Sequence, residues 1–152
     1  MAAGPTRSIS APAPRPPNGS SRTEGRRAMA GEITKIIIGL KRRPGMSVEE
    51  FRDYYENVHT KVAGKYSQPG MCHYARRYLD PMPHLDTKEI HEPEFDVITE
   101  LWYDDPKAAE GLIWMVSKGK LPADVFEDEL NLFDRPRTRY FMTTECVTDL
   151  GR

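Results

Sequence analysis

The stretch FDVITELWYDD, residues 95–105, decides the fold. β-Branched and aromatic residues crowd its middle, the composition of a strand, and a strand's side chains alternate between two faces. One face receives Phe95, Val97, Thr99, Leu101 and Tyr103, a set suited to a core. The other receives Asp96, Ile98, Glu100 and Trp102. Water suits the two carboxylates but not the isoleucine and the tryptophan. This second face is therefore expected to meet a partner or a ligand.

Upstream, ITKIIIGLKR (33–42) is apolar and β-branched, the signature of a buried strand. A Pro-Gly turn follows, and Ser47 with Glu50 three residues on forms a capping box that starts a helix. The helix runs on through VEEFRDYYENVHTKVAGKY, with an expected apolar stripe of Val48, Phe51, Tyr55, Val58 and Val62. MCHYARRYL (71–79) reads as a second strand, and DPMPHLDTKEIHEPE (80–94) as a proline-rich polar loop. Downstream of the opening stretch, Asp then Pro starts a helix whose apolar surface is Leu112, Trp114, Met115 and Val116. LPADVFEDELNLFD (121–134) continues as helix, and residues 138–150 form the last strand.

The order is β-α-β-β-α-β, an α+β ferredoxin-like arrangement with an antiparallel sheet and helices on one face. Phe95, Val97, Leu101 and Tyr103 are expected to point at those helices. The bare face becomes a partly wet cavity if two such sheets meet.

At 152 residues the chain has the length of one domain with a proper core. Residues 1–32, rich in Pro, Ser, Gly and Ala without hydrophobic periodicity, read as a disordered leader, and 33–150 as the folded domain. Met29, just ahead of the first strand, is an alternative translation start. A net charge of −1 with no basic stripe argues against nucleic acid as a partner. No apolar run approaches the roughly 18 residues that span a bilayer, so no membrane role is expected. Cys72 and Cys146, far apart and in no metal-binding spacing, suit a reducing cytoplasm and are expected to be small buried hydrophobes.

Several side chains in this layout carry proton chemistry. His59 borders the stripe of the first helix, and an imidazole titrates near neutrality. Asp96 and Glu100 lie two alternations apart on one face of the same strand. Between Ile98 and Trp102, desolvation would raise one of them into an acid while its neighbour stays ionised. Tyr74, Arg76 and Tyr78 share one face of the second strand, where they either orient a phenol or carboxylate or pair with Asp96 or Glu100. Tyr55 and Trp102 are candidate substrate contacts, and Tyr140 on the last strand joins them. His84, Asp86, Glu89, His91, Glu92 and Glu94 lie in a loop without ligand spacing, which reads as solvated rather than metal-binding. No phosphate loop, dinucleotide fingerprint or nucleophile elbow occurs.

Taken together, KIIIGLKRRPGMSVEEFRDYYENVHTKV and the later FDVITELWYDD resemble the EthD family over roughly Lys35 to Val147. The resemblance rests on Phe51, Tyr54 or Tyr55, His59, Asp96, Glu100 and Trp102, and departs from the family at Val97, where glycine is frequent. It implies a dimeric α/β barrel in which two ferredoxin-like subunits pair through their sheets, each keeping a cleft between sheet and helices or within the barrel. It also implies a small hydrophobic or aromatic substrate and a homodimer. Similar proteins dehydrate or decarboxylate aromatic polyketides, and the wider superfamily isomerises lactones, oxidises phenols without cofactor or binds haem. The expectation is a cofactor-independent acid/base enzyme with His59, Glu100 and Asp96 as catalytic groups. Two rivals stand beside it: an oxidoreductase, marked by oxygen dependence or a Soret band, and an accessory protein that binds a ligand without converting it.

Overall fold

A computed structural model of the protein describes residues 33–151. The expected leader, residues 1–32, lies outside the described residues. The elements are β1 (Thr34–Leu40), α1 (Val48–Tyr54), a π-helical turn (Tyr55–His59), α2 (Thr60–Gly64), β2 (Met71–Tyr78) and β3 (Val97–Tyr103). They are followed by α3 (Pro106–Lys118), α4 (Ala123–Leu132), a 3₁₀ turn (Arg135–Arg137) and β4 (Arg139–Met142). The sheet order is β2-β3-β1-β4, and every neighbouring pair is antiparallel. This is the expected ferredoxin-like α+β topology, with the first and third strands at the centre.

Local chemistry explains the element boundaries. Ser47 Oγ accepts from the Glu50 backbone N–H at 3.1 Å, and the Glu50 carboxylate accepts from the Ser47 N–H at 2.8 Å, so α1 begins with a completed capping box. Asp105 caps α3 through the Lys107 N–H, with Pro106 at the first helical position. Gly119 ends α3 at φ 60°, a conformation that costs glycine no Cβ clash.

One sheet face is buried under the helices. Ile36, Ile38 and Leu40 of β1 and Val97, Leu101 and Tyr103 of β3 meet Phe51, Tyr55, Ala109 and Leu132 there. Phe51 and Leu132 are fully buried, and a side chain of this size stabilises the fold by about 2–3 kcal/mol through its burial. The opposite face has no helix. Across it run Phe141, Ile37, Glu100 and Ala75, in register on four strands.

Five expectations need correction. Phe95 does not face the helices: its ring lies 2.8 Å from where a Cβ on Gly39 would stand, which places it on the open face. The alternation of β3 begins only at Val97, because Asp96 turns inward to hold the end of β1. Cys72 and Cys146 are exposed free thiols, not buried hydrophobes. β4 has four residues, and 143–151 carry no regular structure, so the last strand is far shorter than 138–150. Trp114 is likewise 55% exposed instead of forming core, whereas Leu112 packs against the core. Among the described residues, no helix is long and apolar enough to cross a membrane.

Candidate active site

The helix that carries His59 is not a plain α-helix. In an uninterrupted α-helix the stripe Phe51, Tyr55, Val58, Val62 would follow i, i+4, i+7, i+11, the pattern of one face. The π turn over Tyr55–His59 inserts one extra residue into that pattern. Its effect is to move the inward position from 58 to 59. Val58 is exposed and His59 is 6% exposed, stacked on Tyr55 with ring centroids 4.9 Å apart. The imidazole thus replaces a valine in the core-facing row, and Ala63 follows it at the same four-residue step.

A carboxylate meets the imidazole. Asp128 sits on the buried face of α4, in line with Val125 and Leu132. Its Oδ2 is 2.6 Å from His59 Nδ1, and its Oδ1 accepts from the Tyr54 hydroxyl at 2.9 Å. The carboxylate accepts, so Nδ1 carries the proton and Nε2 is left as the basic atom. Burial lowers the pKa of His59 below the usual imidazole value, and the hydrogen bond and charge of Asp128 oppose that shift.

His59 lines a hollow of about 140 Å³ between sheet and helices. Its apolar walls include Ile38, Leu40, Leu101, Leu112, Met115 and Val125. Polar groups converge on it from four further elements. Tyr55 and Thr99 share a 2.7 Å hydroxyl hydrogen bond, with Tyr74 of β2 and Tyr140 of β4 on the same lining. Burial raises the pKa of Tyr55 far above the phenol range and that of Tyr140 to about 12, so both stay protonated and can donate. Glu129 also lines the hollow, with its side chain 14% exposed and Oε2 3.1 Å from Arg135 Nε. Burial pushes its pKa from 4.5 to about 7; Arg135 pulls it down and Asp128 pushes it further up.

A carboxyl raised in the folded state contributes stability that is present below pH 4.5 and lost as pH rises through about 7. Glu129→Gln is therefore expected to match the parent in urea denaturation near pH 4 and to exceed it by about 1–3 kcal/mol at pH 8. Equal stability at both pH values would show that Arg135 keeps the carboxylate ionised throughout.

The remaining candidates lie elsewhere. Glu100 is on the open face, separated from His59 by the sheet, with its oxygens 2.8 and 3.1 Å from the Arg77 guanidinium. Arg77 holds its pKa below the ordinary carboxylate value, the opposite of a raised acid. Trp102 shares that face, under the Lys35 ammonium at 4.1 Å and beside the His73 ring at 4.2 Å. Arg76 reaches the other way, to Glu56 on the helix at 2.6 Å, and pairs with neither Asp96 nor Glu100. Asp96 is buried among Lys41 and Arg42 at the sheet's end. The structure thus brings His59, Tyr55, Tyr74 and Tyr140 together and leaves Glu100, Asp96, Trp102 and Arg76 outside. Asp128, Glu129 and Thr99 complete the group in their place. For Asp128 the sequence does hold a signal: a carboxylate at i+3 between Val125 and Leu132 lies inside an apolar stripe. Among the described residues no cluster of three His, Cys, Asp or Glu is placed to hold a metal ion.

Solved structures similar to this chain include an ethyl tert-butyl ether D (EthD) family protein from Bacillus halodurans C-125, 16% identical. That likeness covers 74% of this chain and 99% of the other, with a TM-score of 0.48. A protein of Arabidopsis thaliana, At3g17210, is 12% identical over 77% of this chain and 99% of its own, with a TM-score of 0.46. No curated protein matches. The EthD domain model matches residues 43–136, a narrower span than the sequence resemblance because it omits β1 and β4. Since that match takes in α1, the π turn with His59, β3 and all of α4, the chain belongs to the EthD domain family.

Proposed function

We propose that this EthD-domain chain is a cofactor-independent enzyme that moves protons on a small aromatic compound, in a dehydration, decarboxylation or isomerisation. The observation that carries this reading is the 2.6 Å contact between His59 Nδ1 and Asp128 at the wall of an apolar hollow. An imidazole oriented by a buried carboxylate, with its pKa lowered by burial, is a general base at physiological pH. The Tyr55–Thr99 hydroxyl pair supplies neutral donors for the oxygen of an enolate or phenolate, where negative charge develops as the proton leaves.

Proton exchange tests this without knowledge of the physiological substrate. A panel of enolisable aryl ketones in D₂O should exchange the protons next to the carbonyl faster with the protein than in buffer. His59→Ala should lose about 10²–10⁴-fold of that acceleration. Acceleration that survives the substitution, or none with the parent protein, would remove the acid/base reading.

A homodimer is part of the proposal. The open face offers Ile37, Ile98 and Phe141 beside the Arg77–Glu100 ion pair, a mixture of apolar and opposite charges that can complement itself across a two-fold axis. Light scattering at micromolar concentration should give twice the chain mass, and Ile98→Asp should return it to one chain. A monomeric parent would end the barrel expectation while leaving the hollow in each chain as described.

A further inference from the structure

The hollow's size and charge restrict what fits it more sharply than acid/base chemistry does. Its volume, about 140 Å³, is close to that of an apolar protein cavity of about 150 Å³ that holds one benzene molecule. Aromatic rings surround it: Tyr55 and Phe133 meet edge to face at 5.5 Å, with Tyr74 and Tyr140 on the same lining. Its hydrogen-bonding groups include the neutral hydroxyls of Tyr55, Thr99, Tyr74 and Tyr140.

Among the described residues no Lys or Arg lines the hollow. The imidazole and the carboxyl group on its lining already have partners, Asp128 for His59 and Arg135 for Glu129. A carboxylate or phosphate entering this space would lose its water, gain no cation and approach Glu129, so its desolvation would go uncompensated. An ammonium group would have to compete with the Arg135 guanidinium for Glu129. A neutral ring with one oxygen meets neither cost.

Resting on the proposed function, and narrowing it, we propose that the sheltered space takes a single uncharged aromatic ring bearing a hydroxyl or carbonyl. It rejects carboxylated and ammonium analogues and fused polycycles.

Methyl-resolved NMR of the full chain tests this with four probes: 2-hydroxyacetophenone, 3-hydroxybenzoate, tyramine and 9-phenanthrol. The neutral single ring should shift the methyl signals of Leu101, Leu112 and Val125. The carboxylate and the ammonium compound should bind at least about tenfold more weakly, and the tricycle should leave those methyls unmoved. Binding of 3-hydroxybenzoate, tyramine or 9-phenanthrol within about threefold of the neutral ring would overturn the inference, as would the absence of any shift with 2-hydroxyacetophenone. Ring binding without His59-dependent exchange would overturn only the acid/base reading. His59-dependent exchange in a protein that binds the carboxylate equally well would overturn only the ligand class.

Discussion

Asp128→Asn is expected to cut His59-dependent proton exchange by about 10²–10⁴-fold while the chain stays folded. The carboxylate now accepts two hydrogen bonds, from His59 Nδ1 and from the Tyr54 hydroxyl. A carboxamide has one acceptor oxygen and a donating NH₂ group. If the NH₂ faces the imidazole, Nδ1 must accept, the proton moves to Nε2, and the basic atom is lost. If the oxygen faces the imidazole, the tautomer survives, but the charge that stabilises the protonated ring is gone. Either way the base weakens. The cost to stability is smaller, about 1–2 kcal/mol for one poorly matched buried hydrogen bond.

The pH profile separates positioning from mere structure. Asp128 raises the pKa of His59 against the lowering effect of burial. Its neutralisation should therefore move the acid limb of the exchange profile to lower pH, because neutral imidazole then persists further into acid. A residue with only a packing role would lower the rate at every pH and leave the limb where it was. An unmoved limb would take Asp128 out of the mechanism.

How much of this was legible beforehand depends on which interactions are local. The strand alternation of Val97–Tyr103, the Ser47–Glu50 box and the Asp105-Pro106 start are short-range signals, and they gave the topology. The π turn is not encoded in any such pattern. Val58 and Val62 fit an α-helical stripe better than His59 and Ala63 do, and only tertiary packing against Phe133 and Asp128 selects the other register. The placement of Glu100 failed for a different reason. Its face was read correctly, but it was expected to work as the counterpart of His59, and the two lie on opposite sides of the sheet with the hollow on the helical side. Which side encloses space is set by how α3 and α4 lie over β1 and β3, a long-range property. β4 ends at Met142 although β1 continues to Thr34, and Thr143 N still reaches Lys35 O at 3.3 Å.

Asp96→Ala is expected to destabilise the fold by about 3 kcal/mol with little effect on proton exchange. The residue is 5% exposed, and three groups depend on its carboxylate. The Arg42 backbone N–H donates to Oδ2 at 2.8 Å, the Arg42 guanidinium reaches Oδ1, and Lys41 Nζ lies 3.3 Å away. Its backbone carries a further load, donating to Leu40 O at 2.9 Å and accepting from Leu79 N at 3.0 Å. Asp96 thereby joins the end of β1, the end of β2 and the start of β3. Removing the carboxylate strands Lys41, whose side chain is 7% exposed, with only the more exposed Glu92 and the Pro93 carbonyl for partners. Those two partners are why the loss should fall at the lower end of the range for a broken buried pair. Urea denaturation gives the first quantity and the aryl ketone assay the second. The combination matters more than either value. A loss of exchange with stability unchanged would place Asp96 in the chemistry after all, since the cluster around Lys41 and Arg42 explains stability and nothing else.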